Sequence, residues 1–169
     1  MGDLDMDDLD FDLPSVGDGG ADGEKMFRKR YEDDKDRAEE AAFAEEFMKR
    51  YGNHLEKMNW VQVLDYVSYV TPGKIIKGFF EFKCRYTPKE EYNTYYCSAR
   101  KLQKAREWKG MANIPTALVV KWTNFTGIIK DLAEAKITHY SYDGRKDRGD
   151  PADIEPMFHV KHEDFTKLW

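Results

Sequence analysis

Aromatic and charged residues alternate in one short segment of the chain, residues 79–85, which reads Phe-Phe-Glu-Phe-Lys-Cys-Arg. In a β-strand, side chains two residues apart point to the same face. The segment therefore predicts a strand that places Glu81 beside Lys83 and turns Phe80 and Phe82 toward a core on the opposite face. Burying a charge without a partner costs several kcal/mol. The charged pair therefore faces either water or a polar site that uses it.

The rest of the hydrophobic pattern predicts two helices and a series of strands. Phe43, Phe47 and Tyr51 recur at helical spacing and define a buried stripe. The predicted elements are a helix at 24–51, strands at 61–70 and 75–84 joined by a turn, a loop at 86–93, a helix at 94–109, strands at 117–122, 127–132 and 137–142, a charged turn at 143–153 and a strand at 154–160. This order predicts a mixed α/β (α+β) fold, in which helices flank a central mixed β-sheet.

A hairpin of the first two predicted strands would bring a third charged residue to the pair. Asp65 precedes the turn by about as many residues as Glu81 follows it, so the two positions are nearly opposite in an antiparallel pairing. Aspartate is depleted in strands, and its presence in one therefore needs a cause. A shared polar site is one cause, and an outward-facing position on the strand is the alternative.

Charge is unevenly distributed along the 169 residues, a length typical of one domain. The net charge is −5, but residues 1–24 contain nine Asp or Glu and neither Lys nor Arg, which leaves 27 basic and 23 acidic residues in the remainder. We expect residues 1–23 to be a disordered acidic tail, with a partner-binding motif as the alternative. Residues 24–169 are expected to form a single, mildly basic domain that is able to meet a phosphate-bearing partner.

Several functional classes lack their sequence signals. No run of 18 apolar residues predicts a membrane span, and the N-terminus has no secretory pattern. Cys84 and Cys97 form neither a disulfide framework nor a zinc site, which favours a reducing, cytoplasmic compartment. The four histidines lack metal-ligand spacing. Neither a Gly-x-Ser-x-Gly turn nor a Gly-rich phosphate loop is present.

The combination of Asp65 with Glu81-x-Lys83, behind a helix that carries Glu40, resembles the PD-(D/E)xK nuclease superfamily. The segments FEFKCR, YYCSARKLQKA, IPTALVVKW and GRKDRGDPADIEP look like those of small phage-encoded members, and the resemblance of the core covers roughly residues 38–122. It implies a restriction-endonuclease-like αβββαβ core with extra C-terminal strands, located in the host cytoplasm. Leu64 stands where the family motif has proline.

The resemblance also implies a metal site with defined roles. Asp65, Glu81 and the backbone carbonyl of Phe82 would supply oxygen ligands, which hard cations such as Mg²⁺ or Mn²⁺ prefer. Lys83 would hold or help deprotonate an attacking water and would offset negative charge on the phosphate. The expected cofactor is therefore Mg²⁺ or Mn²⁺.

Each predicted helix supplies a further candidate by resemblance. Glu40 of the first helix would reach the metal or its water. Lys101 of the second helix would line the site, with Ser98 one turn away. A solvated position is the alternative for all three residues, because helix surfaces are rich in such side chains.

The second predicted helix also carries features that suit a nucleic acid. Its Lys and Arg residues at 100, 101, 104, 106 and 109 suit a DNA backbone, although a solvated face is the alternative. Three nearby tyrosines are candidates for stacking on bases, but core packing is the more typical role. They are Tyr92, Tyr95 and Tyr96.

Two functions follow from the sequence. The first is a divalent-metal-dependent nuclease that hydrolyses phosphodiester bonds, in DNA by preference, through direct attack of a metal-activated water. The second is a catalytically inactive nucleic-acid-binding or virion-associated module of the same fold. The acidic tail adds a possible protein partner to either function.

Overall fold

The structure of the protein is a computed structural model, which describes residues 34–59, 62–70, 73–144 and 154–169. Five predictions fall wholly or partly outside the described residues. They are the acidic tail at 1–23, the start of the first helix at 24–33, the first residue of the strand at 61–70, part of the turn that follows this strand, and the charged turn from residue 145 to 153.

The described residues form two α-helices, nine strands and three short 3₁₀ helices. The helices are α1 (Asp34–Tyr51) and α2 (Ala99–Ala112). The strands are β1 (Leu55–Lys57), β2 (Tyr66–Val70), β3 (Ile75–Cys84), β4 (Thr94–Ser98), β5 (Thr116–Lys121), β6 (Thr126–Ile129), β7 (Ile137–Gly144), β8 (Ile154–Lys161) and β9 (Thr166–Lys167). The 3₁₀ helices are Lys89–Glu91, Leu132–Glu134 and His162–Asp164.

The strands form a six-stranded and a three-stranded sheet. The six-stranded sheet has the order β1-β2-β3-β5-β6-β9, and the three-stranded sheet has the order β4-β8-β7. In the larger sheet β3 and β5 run parallel, whereas the other neighbours run antiparallel. The larger sheet is therefore the predicted central mixed sheet. Its strands and the two helices follow one another in the order α1, β1, β2, β3, α2, β5, which is αβββαβ.

Helix α1 packs on one face of the central sheet through its predicted apolar stripe. Phe43, Ala44 and Phe47 are buried, and the rings of Phe43 and Phe47 lie 5.3 and 5.5 Å from the ring of Phe82 on β3. Gly52 follows the helix with a φ of +67°, and its N–H donates to the Met48 carbonyl. Glycine adopts this left-handed conformation without steric cost, which explains why the helix ends there.

Helix α2 packs on the other face of the central sheet. The side chain of Ser98 begins the helix by accepting the N–H of Arg100, and Asn113 ends it in the left-handed conformation. Leu102 and Ala105 are buried in a core that also contains Leu118 of β5. The helix therefore has a fixed position on the sheet.

The residues of β5 alternate between the two cores because the strand is covered on both faces. Ala117 and Val119 belong to the core beneath α1, whereas Leu118 and Val120 belong to the core shared by α2 and the smaller sheet. A strand buried on both faces is continuously apolar, as the sequence from 117 to 120 is. The strand β3 beside it is charged on one of these faces.

The prediction of a helix from residue 94 was wrong at its start. Residues 94–98 form β4, which pairs with β8, and α2 begins only at Ala99. Tyr95 and Cys97 point into the core at every second position, a burial pattern that a helix cannot provide. The strand preference of Thr94, Tyr95 and Tyr96, together with the pairing to β8, outweighs the helix preference of the residues that follow.

The predicted strand at 61–70 is shorter than expected. It begins at Tyr66, residues 62–65 form bends, and Asp65 therefore lies just before β2 rather than within it. The short strand β1, which pairs with β2, was not predicted. The predicted hairpin of β2 and β3 is confirmed, as are the strands at 117–122 and 154–160 to within two residues.

None of the helices in the described part of the chain combines the length and the apolar character that crossing a membrane requires.

Candidate active site

The candidate site forms where β2 begins and the C-terminal half of β3 passes it. Tyr66 pairs with Phe80, so Asp65 and Glu81 are the next residues along the two strands. The Met58 N–H donates to the Asp65 carbonyl over 2.8 Å, which continues the β1–β2 pairing by one step. This bond fixes the backbone of Asp65 although the residue lies outside a strand.

Alternation along β3 sends Glu81 and Lys83 to the same face, as the sequence predicts. Lys83 Nζ lies 2.9 Å from Glu81 Oε1 and 3.1 Å from Asp65 Oδ2. The ring of Phe82 points to the opposite face and is fully buried there. The structure therefore brings Asp65, Glu81 and Lys83 together.

Helix α2 adds a second ammonium group to the same pair of carboxylates. Lys101 Nζ lies 2.6 Å from Glu81 Oε2 and 3.2 Å from Asp65 Oδ1. Each of the two carboxylates thus contacts both lysines. The solvated alternative for Lys101 is wrong in this structure, because its side chain is only 18% exposed.

Glu40 also reaches the site, from α1. It is buried, its Oε2 lies 3.4 Å from Lys83 Nζ, and its Oε1 accepts a hydrogen bond from Lys57 Nζ of β1. The solvated alternative for Glu40 is wrong, because the residue lies at the edge of the helix that meets β3 and is buried there. Three carboxylates and three ammonium groups are therefore interleaved in the site.

Glu81 occupies the most restricted position in this cluster. Its side chain is fully buried, and Oε1 has the Lys83 ammonium group at 2.9 Å as an ion-pair partner without a well-aligned hydrogen bond. Burial, reinforced by the neighbouring Asp65 charge, outweighs the two lysines and raises the pKa of Glu81 to about 7. A buried carboxylate that is held only by ion pairs, and whose pKa is raised, gains from a divalent cation that stabilises its charged form.

The pKa of Asp65 is shifted in the opposite direction. Burial alone would raise its pKa, but Lys83 and Lys101 outweigh burial and hold the pKa below its usual range. For the lysines, burial opposes the charged form, yet Glu81 and Asp65 raise the pKa of both Lys83 and Lys101. Asp65 is therefore ionised at neutral pH, and both lysines are ammonium ions.

The donor set fits a hard divalent cation. Asp65 and Glu81 both place an oxygen within 3.2 Å of one Lys101 nitrogen, so their carboxylates lie close enough to share a single ion. Within the described residues, no group of three Asp, Glu, His or Cys side chains is arranged around one metal position. Mg²⁺ keeps several of its waters when it binds to a protein. Two carboxylates are therefore a suitable set of protein ligands for it, with water and substrate oxygens completing the coordination shell.

Other predicted residues have structural roles. Ser98 caps α2 through the Arg100 N–H and is not among the residues that contact the carboxylates. Tyr95 is buried in the core, as expected, and Tyr96 is partly buried. Tyr92 is 61% exposed, so core packing was the wrong prediction for that residue.

Sequence reasoning missed two basic residues beside the site. Lys57 lies on the short strand β1, for which the sequence has no signal. Arg85 follows Lys83 by two residues, and its guanidinium packs over the rings of Tyr95 and Tyr96 at 5.1 and 5.7 Å. The alternation that identified Glu81 and Lys83 would have placed Arg85 on the same face had it been extended by one step.

Comparison with known proteins finds one family model that matches most of the sequence. The family model described as "Phage putative PDDEXK endonuclease" matches residues 26–168. Among solved structures, the Holliday junction resolvase Hjc of Archaeoglobus fulgidus has a TM-score of 0.48 and 11% identity, over 77% of this chain and 92% of that chain. A comparison with curated protein sequences gives no significant match.

Proposed function

Because the chain belongs to the family of phage PD-(D/E)xK endonucleases, we propose that it is a divalent-metal-dependent nuclease that hydrolyses phosphodiester bonds in DNA. One observation carries the proposal. Asp65 and Glu81 converge so closely that each lies within 3.2 Å of the same two ammonium groups. Two buried carboxylates brought together in this way can hold a divalent cation beside positive charge that suits a phosphate.

The metal ligands would be the carboxylates of Asp65 and Glu81, together with the backbone carbonyl of Phe82 that the family resemblance implies. When bound, Mg²⁺ or Mn²⁺ would polarise the phosphate and lower the pKa of a coordinated water. Phe82 suits the role of a backbone ligand because its ring is locked among aromatic residues on the far face of β3. This packing fixes the backbone between Glu81 and Lys83.

Lys83 would act as an ammonium ion. The sequence suggested two roles for it, helping to deprotonate water and offsetting negative charge. Its raised pKa favours the second role, because a lysine surrounded by Glu81, Asp65 and Glu40 keeps its proton. Lys83 would therefore orient the attacking water by hydrogen bonding and stabilise the charge that develops on the phosphate. Glu40 would act on Lys83 as a positioning residue.

Helix α2 would face the DNA backbone next to the scissile phosphate. Lys101 lies in its first turn, and Arg100 and Arg106 are exposed on the same helix. Exposed guanidinium groups bind phosphates in two-point contacts, which position a duplex without reading its sequence. Cleavage would proceed by direct attack of water, without a covalent enzyme intermediate.

A cleavage assay tests the proposal. Wild-type protein should cut single-stranded, duplex or branched DNA in Mg²⁺ or Mn²⁺ and should be inactive in EDTA. Lys83→Met and Glu81→Gln should each reduce the rate about 100-fold to 1,000-fold, because each removes a charge that acts on the reacting phosphate or holds the metal. Lys161→Met, an exposed lysine on the smaller sheet, is the matched control and should cut normally. Normal cleavage by both site variants would refute the assignment.

Calorimetry separates the enzyme from the non-enzymatic alternative. Wild-type protein should bind Mn²⁺, and Asp65→Asn should lose most of that binding, since the substitution removes one of two charged ligands. If the protein binds metal and DNA but cuts no substrate tested, the catalytically inactive binding module becomes the better description.

A further inference from the structure

Lys101 occupies the space between the two carboxylates that a cation would need. We propose that Lys101 is a placeholder for the divalent cation: its ammonium group holds Asp65 and Glu81 in the metal-free protein, competes with the cation for them, and moves to a DNA phosphate when substrate binds. This inference rests on the proposed nuclease function and adds how metal and DNA binding are coupled in the same site.

The contacts of Lys101 are those of a bridging cation. Its Nζ lies 2.6 Å from Glu81 Oε2 and 3.2 Å from Asp65 Oδ1, so a single positive group joins one oxygen of each carboxylate. Both are the oxygens that face α2. A divalent cation bound to the same two oxygens would lie close to the ammonium group. The two positive charges would repel each other at this separation. Binding of the ion therefore requires Lys101 to leave.

Lys101 is better suited to leave than Lys83. Lys83 lies on the same strand as Glu81 and has a third carboxylate partner, Glu40, at 3.4 Å. The ion pairs that the structure shows for Lys101, among the described residues, are those with Asp65 and Glu81. Its retreat would therefore cost two contacts that the cation replaces, whereas Lys83 would remain beside Glu40.

The side chain can move while its helix stays in place. Leu102 and Ala105 are fully buried and anchor α2 against the core, so the helix has no freedom to carry Lys101 away. The side chain itself is a flexible four-carbon stem that ends in a compact charge. Rotation about its own bonds is enough to exchange a carboxylate for another anion nearby.

A DNA phosphate is the anion that the surroundings favour. Arg100 is exposed in the first turn of α2, which also carries Lys101, so a DNA backbone that Arg100 attracts would pass this turn. A phosphate that takes the Lys101 ammonium frees the carboxylates for the cation. The two ligands would then raise each other's affinity by the same factor, as thermodynamic linkage requires.

Metal titration without DNA provides the first test. Calorimetry with Mn²⁺ and with Mg²⁺ should show that Lys101→Met binds either ion about tenfold more tightly than wild type, because the competing charge is gone. Lys104→Met is the matched control: it removes one positive charge from the same helix, but its partner is Glu107, outside the site. The control should bind the ions with wild-type affinity. Equal or weaker binding by Lys101→Met would overturn the proposal.

Thermal unfolding provides a second measurement and covers the case of a poorly folded variant. Lys101→Gln keeps a hydrogen-bond donor beside the carboxylates and is the milder change. In EDTA we expect both Lys101 variants to melt below wild type, and added Mg²⁺ should raise their Tm more than that of wild type. An equal Mg²⁺-induced shift in the variants and in wild type would contradict competition at Lys101.

The outcomes distinguish this inference from the function on which it rests. If wild type and Lys101 variants bind the ions equally and cleavage needs metal, the nuclease function stands and the placeholder role fails. If none of these proteins binds either ion, the metal site is refuted and the placeholder role fails with it. Tighter metal binding by the variants, together with slower cleavage of DNA, would support both the nuclease function and the placeholder role. Cleavage would be slower because the variants lack the ammonium group that contacts the phosphate.

Discussion

The two faces of strand β3 have opposite chemistry although their residues alternate along one segment. On the α1 face, Phe82 is surrounded by the rings of Phe43, Phe47 and Tyr66 at 5.3 to 5.5 Å. On the α2 face, Glu81 is buried as completely as Phe82 but contacts two lysines instead of aromatic rings. The first face stabilises the sheet by removing apolar surface from water. The second face holds carboxylate and ammonium groups at positions where burial destabilises their charged forms.

This difference indicates that one face of the strand stabilises the fold, whereas the other face carries the candidate site. A buried carboxylate loses its hydration, and the gain from ion pairs in the interior often fails to repay that loss. The raised pKa of Glu81 reports this imbalance directly. The aromatic face compensates, since edge-to-face ring pairs add stability beyond the area that they bury. We therefore expect substitutions on the two faces to change stability in opposite directions.

The largest effect is expected on the aromatic face. Phe82→Ala should lower the free energy of unfolding by about 3–5 kcal/mol, because it removes a fully buried ring and leaves a cavity among its neighbours. Urea unfolding followed by circular dichroism measures the change. Tyr142→Ala on β7, where the side chain is 72% exposed, is the control and should differ from wild type by no more than about 0.5 kcal/mol. A loss below 1 kcal/mol for Phe82→Ala would show that this face is not the stabilising one.

The next effect has the opposite sign and depends on pH. In the folded protein the pKa of Glu81 is about 7, whereas an unfolded Glu titrates near 4.3. The folded state therefore binds the extra proton, and the stability that Glu81 contributes is complete below about pH 4 and is lost as pH rises through about 7. Glu81→Gln keeps the neutral form at every pH. In EDTA it should equal wild type near pH 4 and exceed it by on the order of 3 kcal/mol at pH 8.

The comparison with Glu81→Gln isolates this group from others that titrate nearby. Burial lowers the pKa of His159 and of His162, so both add stability as pH rises, but they contribute equally to the two proteins. The stability that ionised Asp65 contributes to the protein is lost only below about pH 4, because the pKa of Asp65 is lowered in the folded state. A pH-independent difference between the proteins would mean that Glu81 is ionised throughout. Mg²⁺ should stabilise wild type at pH 8 far more than the variant.

The fold was predictable where a single periodicity governs a segment. The aromatic stripe of α1 and the alternation of β3 each define one buried face, and the helix, the hairpin and the mixed sheet followed from them. The prediction for residues 94–98 failed because helix-forming residues follow directly after this five-residue strand. The strand also depends on a distant contact, since Tyr95 pairs with Val160, 65 residues away in sequence. Strand β1 is three residues long and has no apolar alternation of its own.

The site was predictable to the extent that its residues lie on those elements. Glu81 and Lys83 followed from alternation, and Asp65 followed from the length of the hairpin even though it lies just outside β2. The burial of Glu40 and the contact of Lys101 with both carboxylates depend on how two helices pack on the sheet, which local pattern does not encode. Lys57 reaches Glu40 from a strand that had no sequence signal.

A smaller effect is expected at Glu40, where the aromatic and charged regions meet on α1. Glu40→Gln should lower the free energy of unfolding by about 1 kcal/mol, since the neutral amide keeps the shape but weakens the contacts with Lys83 and Lys57. Cleavage should fall about tenfold, less than for Lys83→Met, if Glu40 acts by positioning Lys83. The neighbouring Glu39→Gln is the control, because Glu39 pairs with the exposed Tyr86 hydroxyl. A loss of cleavage as large as that of Lys83→Met would instead place Glu40 among the metal ligands.

The smallest effect is expected six residues further along the same helix, at Glu46. This glutamate is partly exposed and pairs with Arg50 at 2.8 Å and Lys121 at 3.5 Å, both of which are also accessible to water. Solvated pairs of this kind contribute little, because water screens them and two long side chains must be ordered. Glu46→Gln should therefore change the free energy of unfolding by less than about 0.5 kcal/mol and leave cleavage and metal affinity unchanged. A Glu46 effect equal to that of Glu40 would show that helix α1 stabilises the protein through charge in general, and that burial beside β3 does not distinguish the two positions.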